Sequence, residues 1–138
     1  MMIQLIYASR ATHAMTEKEL EKVLAVARSR NSKQGITGLL LYAEEKFLQV
    51  LEGEEREVND VYASIIKDPR NSGNVIYERK TISKREFPDW SMGFRQVRAE
   101  DKDKLKGFSD FLDKDLDLAR VKLSHALLLL NQFRDLTR

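Results

Sequence analysis

Residues 35–42 read Gly-Ile-Thr-Gly-Leu-Leu-Leu-Tyr, and residues 47–53 read Phe-Leu-Gln-Val-Leu-Glu-Gly. Two apolar runs joined by a short polar connection predict a β-hairpin. Because alternate side chains of a strand share a face, Gln49 points to the same side as Phe47 and Leu51. An amide buried there costs about 1–3 kcal/mol unless its donors and acceptors find partners. The sequence therefore predicts a polar group opposite Gln49.

The first strand supplies a candidate for that group. Residues 3–9 read Ile-Gln-Leu-Ile-Tyr-Ala-Ser, and alternation places the Tyr7 phenol on the same face as Ile3 and Leu5. We therefore expect the polar tips of Tyr7 and Gln49 to meet over one apolar floor.

Two helices are predicted on either side of the hairpin. The first starts at Thr16, an N-cap residue that forms a capping box with Glu19, and should end near residues 30–31. The second follows Gly53 and must end before Pro69, which cannot continue a helix. Each helix carries one apolar stripe, so we expect both to cover the same face of a sheet.

Two further strands are predicted, around residues 75–82 and residues 90–97. The element order is then β-α-β-β-α-β-β, which is the split βαβ, ferredoxin-like arrangement with a fifth strand. The expected fold class is therefore α+β, with a five-stranded mixed sheet and two helices on one of its faces.

The composition changes beyond Arg98, so we divide the chain into a domain at residues 1–98 and a helical extension at residues 99–138. Apolar spacing predicts a short helix at residues 105–112 and a longer amphipathic helix at residues 116–133. A sheet with helices on one face needs its other face covered if that face is apolar. We expect the extension to pack there.

Charge and cysteine content restrict the function classes. The 138 residues include 24 basic and 22 acidic side chains in an interspersed pattern, with a net charge of +2. Charge alone therefore gives no reason to expect direct nucleic-acid binding. The absence of cysteine excludes disulfides, a thiolate nucleophile and cysteine metal sites, and it is typical of a cytoplasmic protein.

Metal sites and membrane segments are not indicated either. Neither His13 nor His125 has the spacing of a metal site or of a catalytic triad. The longest apolar run, residues 126–130, is too short to span a bilayer, and the first residues lack the features of a signal peptide. We expect no metal ion and no membrane association.

Five segments resemble, in order and spacing, the motifs of the BLUF domains, which are flavin-binding blue-light sensors. The segments are residues 5–9, Asn31 with residues 35–38, residues 47–53, residues 68–70 and residues 87–92. They span roughly the first hundred residues, and chance agreement of all five is hard to credit. The resemblance implies a non-covalently bound FAD, held mainly by its ring in a slot between the two helices.

The same resemblance assigns Asn31, Asp68 and Arg70 to the polar edge of the flavin. An amide, a carboxylate and a guanidinium offer the donors and acceptors that its carbonyl and imide groups need. Taken alone, Asn31 and Asp68 would also fit helix ends, and the complete motif set favours the flavin. Arg30 and Asn71 differ from the side chains often found at these family positions. We therefore expect this chain to differ from the family in the strength of flavin binding and in its kinetics, and not in its chemistry.

Tyr7 and Gln49 are the photoactive pair that the resemblance implies. Light makes the flavin an oxidant, and Tyr7 transiently reduces it through Gln49. The amide is left rotated or tautomerised, with a changed hydrogen bond to the flavin and red-shifted absorption. Trp90, Met92 and Phe94 should share one face of the last strand, and in the family this Trp or Met lies near the glutamine. That strand would carry the signal to the extension.

We therefore expect a non-catalytic blue-light photoreceptor of the short, single-domain type, which binds FAD and acts on an unidentified downstream protein. A homodimer or a higher oligomer is left open. The alternatives are a small ferredoxin-like hydrolase or cofactor-free oxygenase, and an adaptor without flavin. The chain lacks a catalytic histidine constellation and a Gly-rich anion loop, which disfavours a hydrolase. Retention of Tyr7, Asn31 and Gln49 disfavours the adaptor. The colour of the purified protein separates these alternatives.

Overall fold

The computed structural model describes residues 1–97 and 116–136. Its helices and strands, in chain order, are β1 (Met2–Ala11), α1 (Glu17–Gln34), β2 (Thr37–Ala43), β3 (Lys46–Glu54), α2 (Glu55–Lys67), β4 (Asn71–Thr81), β5 (Gly93–Gln96) and α3 (Leu123–Leu136). A single 3₁₀ turn, Leu118–Arg120, precedes α3 among the described residues. The order βαββαββ confirms the predicted ferredoxin-like α+β class.

The five strands form one mixed sheet in the order β4-β1-β3-β2-β5. Strand β1 pairs antiparallel with β3 and β4, and β2 pairs antiparallel with β3. Strand β5 runs parallel to β2. The central β1–β3 pair sets Tyr7 directly opposite Gln49, which is the register that their shared apolar pattern predicts.

Two apolar cores lie on opposite faces of this sheet. Helices α1 and α2 bury one face, in a core that includes Leu5, Tyr7, Leu24 and Val61. Helix α3 buries the other face, where Phe133 is fully enclosed among side chains of β1, β2 and β3. The prediction that C-terminal helical structure covers the second face is therefore confirmed. The short helix predicted at residues 105–112 lies outside the described residues.

The first helix starts as predicted but ends later. Thr16 and Glu19 form the capping box. The helix then continues past the predicted end at residues 30–31 to Gln34, and Gly35 closes it in the left-handed conformation with φ of 66°. Glycine adopts that conformation without a Cβ penalty. Asn31 is therefore an internal helical residue and not a cap.

The last two strands also begin elsewhere than predicted. Strand β4 starts at Asn71, four residues before the expected position, because it pairs along the whole of β1. Strand β5 starts at Gly93, so Trp90 and Met92 belong to the loop that precedes it. None of the described helices is long and apolar enough to cross a membrane.

A buried carboxylate fastens the loop between β4 and β5. Glu52 is fully buried, and it accepts hydrogen bonds from the backbone N–H of Phe87 at 2.7 Å, the backbone N–H of Glu86 at 3.1 Å and the side-chain amide of Gln4 at 2.8 Å. Arg134 of α3 donates to the Glu86 carbonyl at 3.1 Å and lies over the Phe87 ring. Glu52 thus holds the loop to the sheet, and Arg134 holds the same loop to α3.

We predict that Glu52→Gln lowers the free energy of unfolding by roughly 1.5–3 kcal/mol. The neutral amide keeps the shape, but its NH₂ group opposes a backbone N–H that the carboxylate now satisfies. Urea denaturation of both proteins measures the change. Glu21→Gln, at an exposed position of α1, serves as the matched control and should leave the midpoint in place. Equal stability of Glu52→Gln and the parent chain would contradict the role of Glu52 in holding the loop between β4 and β5.

Candidate functional site

A cleft opens between α1 and α2 above the sheet. Together with the solvent space at its open mouth it encloses about 610 Å³. Apolar side chains of the two helices form its walls, namely Val23, Val26, Ala27 and Ile65. The sheet forms its floor with Tyr7, Ser9, Leu40, Phe47 and Gln49. Polar side chains line the remainder, namely Arg30, Ser64, Asp68, Arg70 and Asn71.

Tyr7 and Gln49 are joined by a buried hydrogen bond on this floor. The Tyr7 hydroxyl donates to Gln49 Oε1, and Gln49 Nε2 donates to the Met92 thioether at 3.3 Å. The three side chains are 3%, 3% and 1% exposed. Because a thioether is a weak acceptor, the Gln49 NH₂ group keeps donor capacity for a polar atom in the cleft.

The environment of Tyr7 keeps its phenol neutral. Burial raises the pKa of Tyr7 far above its usual value, and the nearby Tyr62 acts in the same direction. The Tyr62 ring packs edge-on against Tyr7, with centroids 5.1 Å apart. Arg30 opposes the shift with a smaller effect. A neutral phenol carries the proton that the hydrogen bond to Gln49 requires.

An ion pair stands at the rim of the cleft. Asp68 follows α2 and accepts from the backbone N–H of Arg70 at 2.9 Å and from its guanidinium Nε at 3.0 Å. The hydrogen bond from Arg70 lowers the pKa of Asp68, and Asp68 raises the pKa of Arg70. Both groups are therefore ionised. Burial lowers the pKa of Arg30, which is the rim cation on the α1 side.

Asn31 and Trp90 lie differently from the other predicted site residues. Asn31 is fully buried, and its amide donates to the Ser91 carbonyl at 2.8 Å; among the described residues, Arg30 lines the cleft and Asn31 does not. The Trp90 ring packs against Gly93. A Cβ at Gly93 would come within 2.9 Å of that ring and within 3.1 Å of Leu39.

The contact near Leu39 shows which side of the sheet Trp90 occupies. Leu39 belongs to the core under α3, whereas Met92 and Phe94 belong to the core under α1 and α2. The prediction that Trp90, Met92 and Phe94 share one face is therefore wrong for Trp90. Strand alternation begins only at Gly93, so it does not govern the two residues of the loop.

Two residues of the site were not predicted from the sequence. Tyr62 falls on the apolar stripe of α2, and that pattern alone does not show that its ring contacts Tyr7. Arg28 donates from its Nε to the Met92 carbonyl at 3.0 Å. No local sequence signal identifies such a contact, because its two partners are far apart in the chain.

The donor set of the cleft fits a flat, apolar ring with a polar edge. Ala27 and Ile65 provide walls from the two helices, and the incompletely satisfied Gln49 NH₂ group provides a donor at the floor. Arg70 and Asp68 add charged donors and acceptors at the rim. The isoalloxazine ring of a flavin has this combination of apolar faces and polar edge.

The family model described as sensors of blue light using FAD matches residues 2–93. The chain belongs to this family, the BLUF domains. The five sequence segments indicated this flavin-binding, light-sensing family, and the predicted order of helices and strands indicated its ferredoxin-like fold.

Known relatives agree with the family assignment. Photoactivated adenylate cyclase subunit beta of Euglena longa is 35% identical over 89 residues, which are 64% of this chain and 10% of that protein. The blue light- and temperature-regulated antirepressor BluF of Escherichia coli (strain K12) is 31% identical over 103 residues, 75% of this chain and 26% of that protein. The chain thus spans a tenth to a quarter of the length of these relatives.

A solved structure matches more of the chain than the cleft region. BlsA in its ground state superposes with a TM-score of 0.82 at 26% identity, covering 97% of this chain and 88% of that protein. The match covers nearly the whole chain, so it includes the helical structure on the second face of the sheet as well as the cleft between α1 and α2.

We predict that Tyr7 makes the stability of the flavin-free protein fall with rising pH. The unfolded chain loses the phenolic proton near pH 10, while burial raises the pKa of Tyr7 in the folded chain. The folded state then binds the extra proton, so stability is complete below about pH 10 and declines above it, approaching about 1.4 kcal/mol per pH unit for one proton.

Urea denaturation between pH 9 and about pH 11 measures this slope. Tyr7→Phe lacks the phenolic proton, so the slope of stability against pH should be flatter in this variant. Other tyrosines still contribute to the slope in both proteins; burial raises the pKa of Tyr77, for example, to about 12. The comparison of the two proteins isolates Tyr7. Identical slopes would show that the Tyr7 phenol ionises as readily in the folded chain as in the unfolded chain.

Proposed function

We propose that this BLUF domain is a blue-light photoreceptor that binds FAD and uses Tyr7 and Gln49 as its switch. The observation that supports the proposal most strongly is the buried hydrogen bond from the Tyr7 phenol to the Gln49 amide on the cleft floor. A phenol and an amide in contact, with one amide donor still available to the cleft, provide a path for a proton and an electron.

The residues that would hold the flavin follow from the cleft. Arg70 would donate to a carbonyl of the ring, and Asp68 would accept from its imide N–H. Asn31 does not line the cleft; the family resemblance adds it to the proposed set, and its amide oxygen keeps acceptor capacity because the contact it accepts among the described residues is long, 3.4 Å from Arg30 Nε. Arg30 and Asn71 border the same cleft, so we propose that they tune affinity and kinetics.

A bound flavin supplies, on absorbing blue light, an oxidant inside the cleft. Tyr7 is neutral, so it can release an electron together with its phenolic proton, and the proton acceptor in contact with it is Gln49 Oε1. The return of one electron and one proton restores Tyr7. Gln49 can then remain turned or tautomerised, because its Nε2 contact with the thioether of Met92 is weak.

In the state that light produces (the lit state), the change in the protein is thus a different pattern of hydrogen bonds at Gln49. No covalent bond to the chain needs to form, and the sequence contains no cysteine that could form a thiol adduct. We propose that the chain has no catalytic activity of its own. The family assignment leaves the hydrolase and oxygenase alternatives without support.

We propose that a downstream protein reads this change through the face of the sheet that α3 covers. Strand β5 follows Met92 directly, and Arg95 of β5 lies over the ring of Phe133 in α3 at 5.4 Å. The Escherichia coli relative is named as an antirepressor and the Euglena relative as a cyclase. By analogy, the output here is the control of another protein in the cytoplasm.

We predict that protein purified with FAD stays yellow after desalting, and that blue light shifts its flavin absorption reversibly to the red without net reduction. Gln49→Leu should retain the flavin and lose the shift, because leucine fills the space without a group that can exchange hydrogen bonds. Absorption spectra in darkness, under light and during recovery measure both properties.

Gln34→Leu, at the end of α1 and not among the residues that line the cleft, is the matched control and should keep the shift. A normal red shift in Gln49→Leu would contradict the role of Gln49. Loss of all flavin from the parent protein on desalting would contradict the photoreceptor itself and favour the adaptor without flavin.

A further inference from the structure

Residues 90–92, which we call the Met92 segment, are fixed by hydrogen bonds to their main-chain carbonyls. They precede β5 and have no strand pairing, yet their three successive carbonyls all accept hydrogen bonds. The carbonyl of residue 90 accepts from the backbone N–H of Gly38 at 3.1 Å, that of residue 91 from Asn31 Nδ2 at 2.8 Å, and that of residue 92 from Arg28 Nε at 3.0 Å. Two of the three donors are side chains of α1.

The same segment positions the thioether at the photoactive pair. Met92 is 1% exposed, and its sulfur lies 3.3 Å from Gln49 Nε2. A methionine side chain is flexible, so the place of its sulfur depends on where the main chain of the segment is held. The three carbonyl bonds therefore determine whether the thioether stays in contact with the Gln49 amide.

Among these bonds, the one from Arg28 combines three properties. Its donor is charged, which strengthens a hydrogen bond to a neutral carbonyl. It acts on Met92 itself and not on a neighbouring residue. Its side chain is exposed, so its removal does not open a cavity in the core. Asn31, in contrast, is buried and belongs to the proposed flavin contacts, and Gly38 contributes only its main chain.

We propose that Arg28 is a positioning residue, which holds Met92 against Gln49 and thereby controls how readily the Gln49 amide turns. Its effect on the lifetime of the lit state rests on the proposed function, whereas its hold on Met92 does not. With Arg28 in place, the Met92 thioether stays fixed beside Gln49, and the Gln49 amide must turn past it to return to its dark arrangement. Without Arg28, the thioether can move aside and the amide returns to its dark arrangement sooner.

The test uses the full chain as purified, with methionine labelled by ¹³C at its methyl group. The methyl resonance of Met92, identified by its loss in Met92→Leu, reports the burial of the side chain in darkness. Arg28→Leu should move this resonance toward that of an exposed methionine, and Arg28→Lys, which keeps a charged donor, should move it less. Lys22→Leu, at another exposed cation of α1, should leave it in place.

The second measurement is the dark recovery of the flavin absorption after illumination. Arg28→Leu should keep the red shift and recover faster by roughly three- to tenfold, which is the change that the loss of an ordinary hydrogen bond gives; we use this range because the Arg28 side chain is exposed to solvent. Arg28→Lys should recover at a rate between those of Arg28→Leu and the parent, and Lys22→Leu at the parent rate. A change in stability alone would not produce this order at equal red shift.

The outcomes separate the two proposals. An unmoved Met92 resonance in Arg28→Leu overturns the positioning role, whether or not flavin is bound. A moved resonance with an unchanged recovery rate overturns the control of the amide by Arg28. If the parent protein binds no flavin, the photoreceptor proposal fails. The Met92 resonance still tests, in that case, whether Arg28 positions Met92.

Discussion

The hydrogen bond between the Tyr7 phenol and the Gln49 amide is the interaction on which the cleft depends. Both groups lie at the centre of the sheet, where a polar atom without a partner costs about 1–3 kcal/mol. The antiparallel register of β1 and β3 sets them opposite each other, and a slip of one residue would turn one of them to the other face. The alternating apolar residues that determine this register therefore also determine the site.

The same strands serve two cores, and the signal route that we propose runs between them. Tyr7 and Gln49 face α1 and α2, whereas Glu52, three residues further along β3, fastens the loop that carries Phe87 into the core under α3. Residues 87–92 then pass from one core to the other, since Met92 returns to the cleft side. A displacement at Met92 is therefore connected, through a few residues of main chain, to packing under α3.

The amino-acid sequence predicted the parts of this arrangement that depend on local patterns. Strand alternation brought Tyr7 and Gln49 to one face, and the Thr16 capping box and Pro69 marked helix ends. The sequence did not predict that α1 continues through Asn31. The end of this helix is set by Gly35, which adopts a positive φ, and not by Asn31 as a cap. Nor did the sequence predict that Trp90 and Met92 separate, since loop carbonyls held by Arg28 and Asn31 follow no periodic pattern.

Infrared difference spectroscopy of flavin-loaded protein with ¹³C in the glutamine side-chain carbonyl tests most directly whether the amide of Gln49 is the group that light changes. We predict a light-minus-dark band from a glutamine carbonyl that shifts with the label, decays with the red shift and is missing in Gln49→Leu. A full red shift without any label-sensitive glutamine band would contradict it.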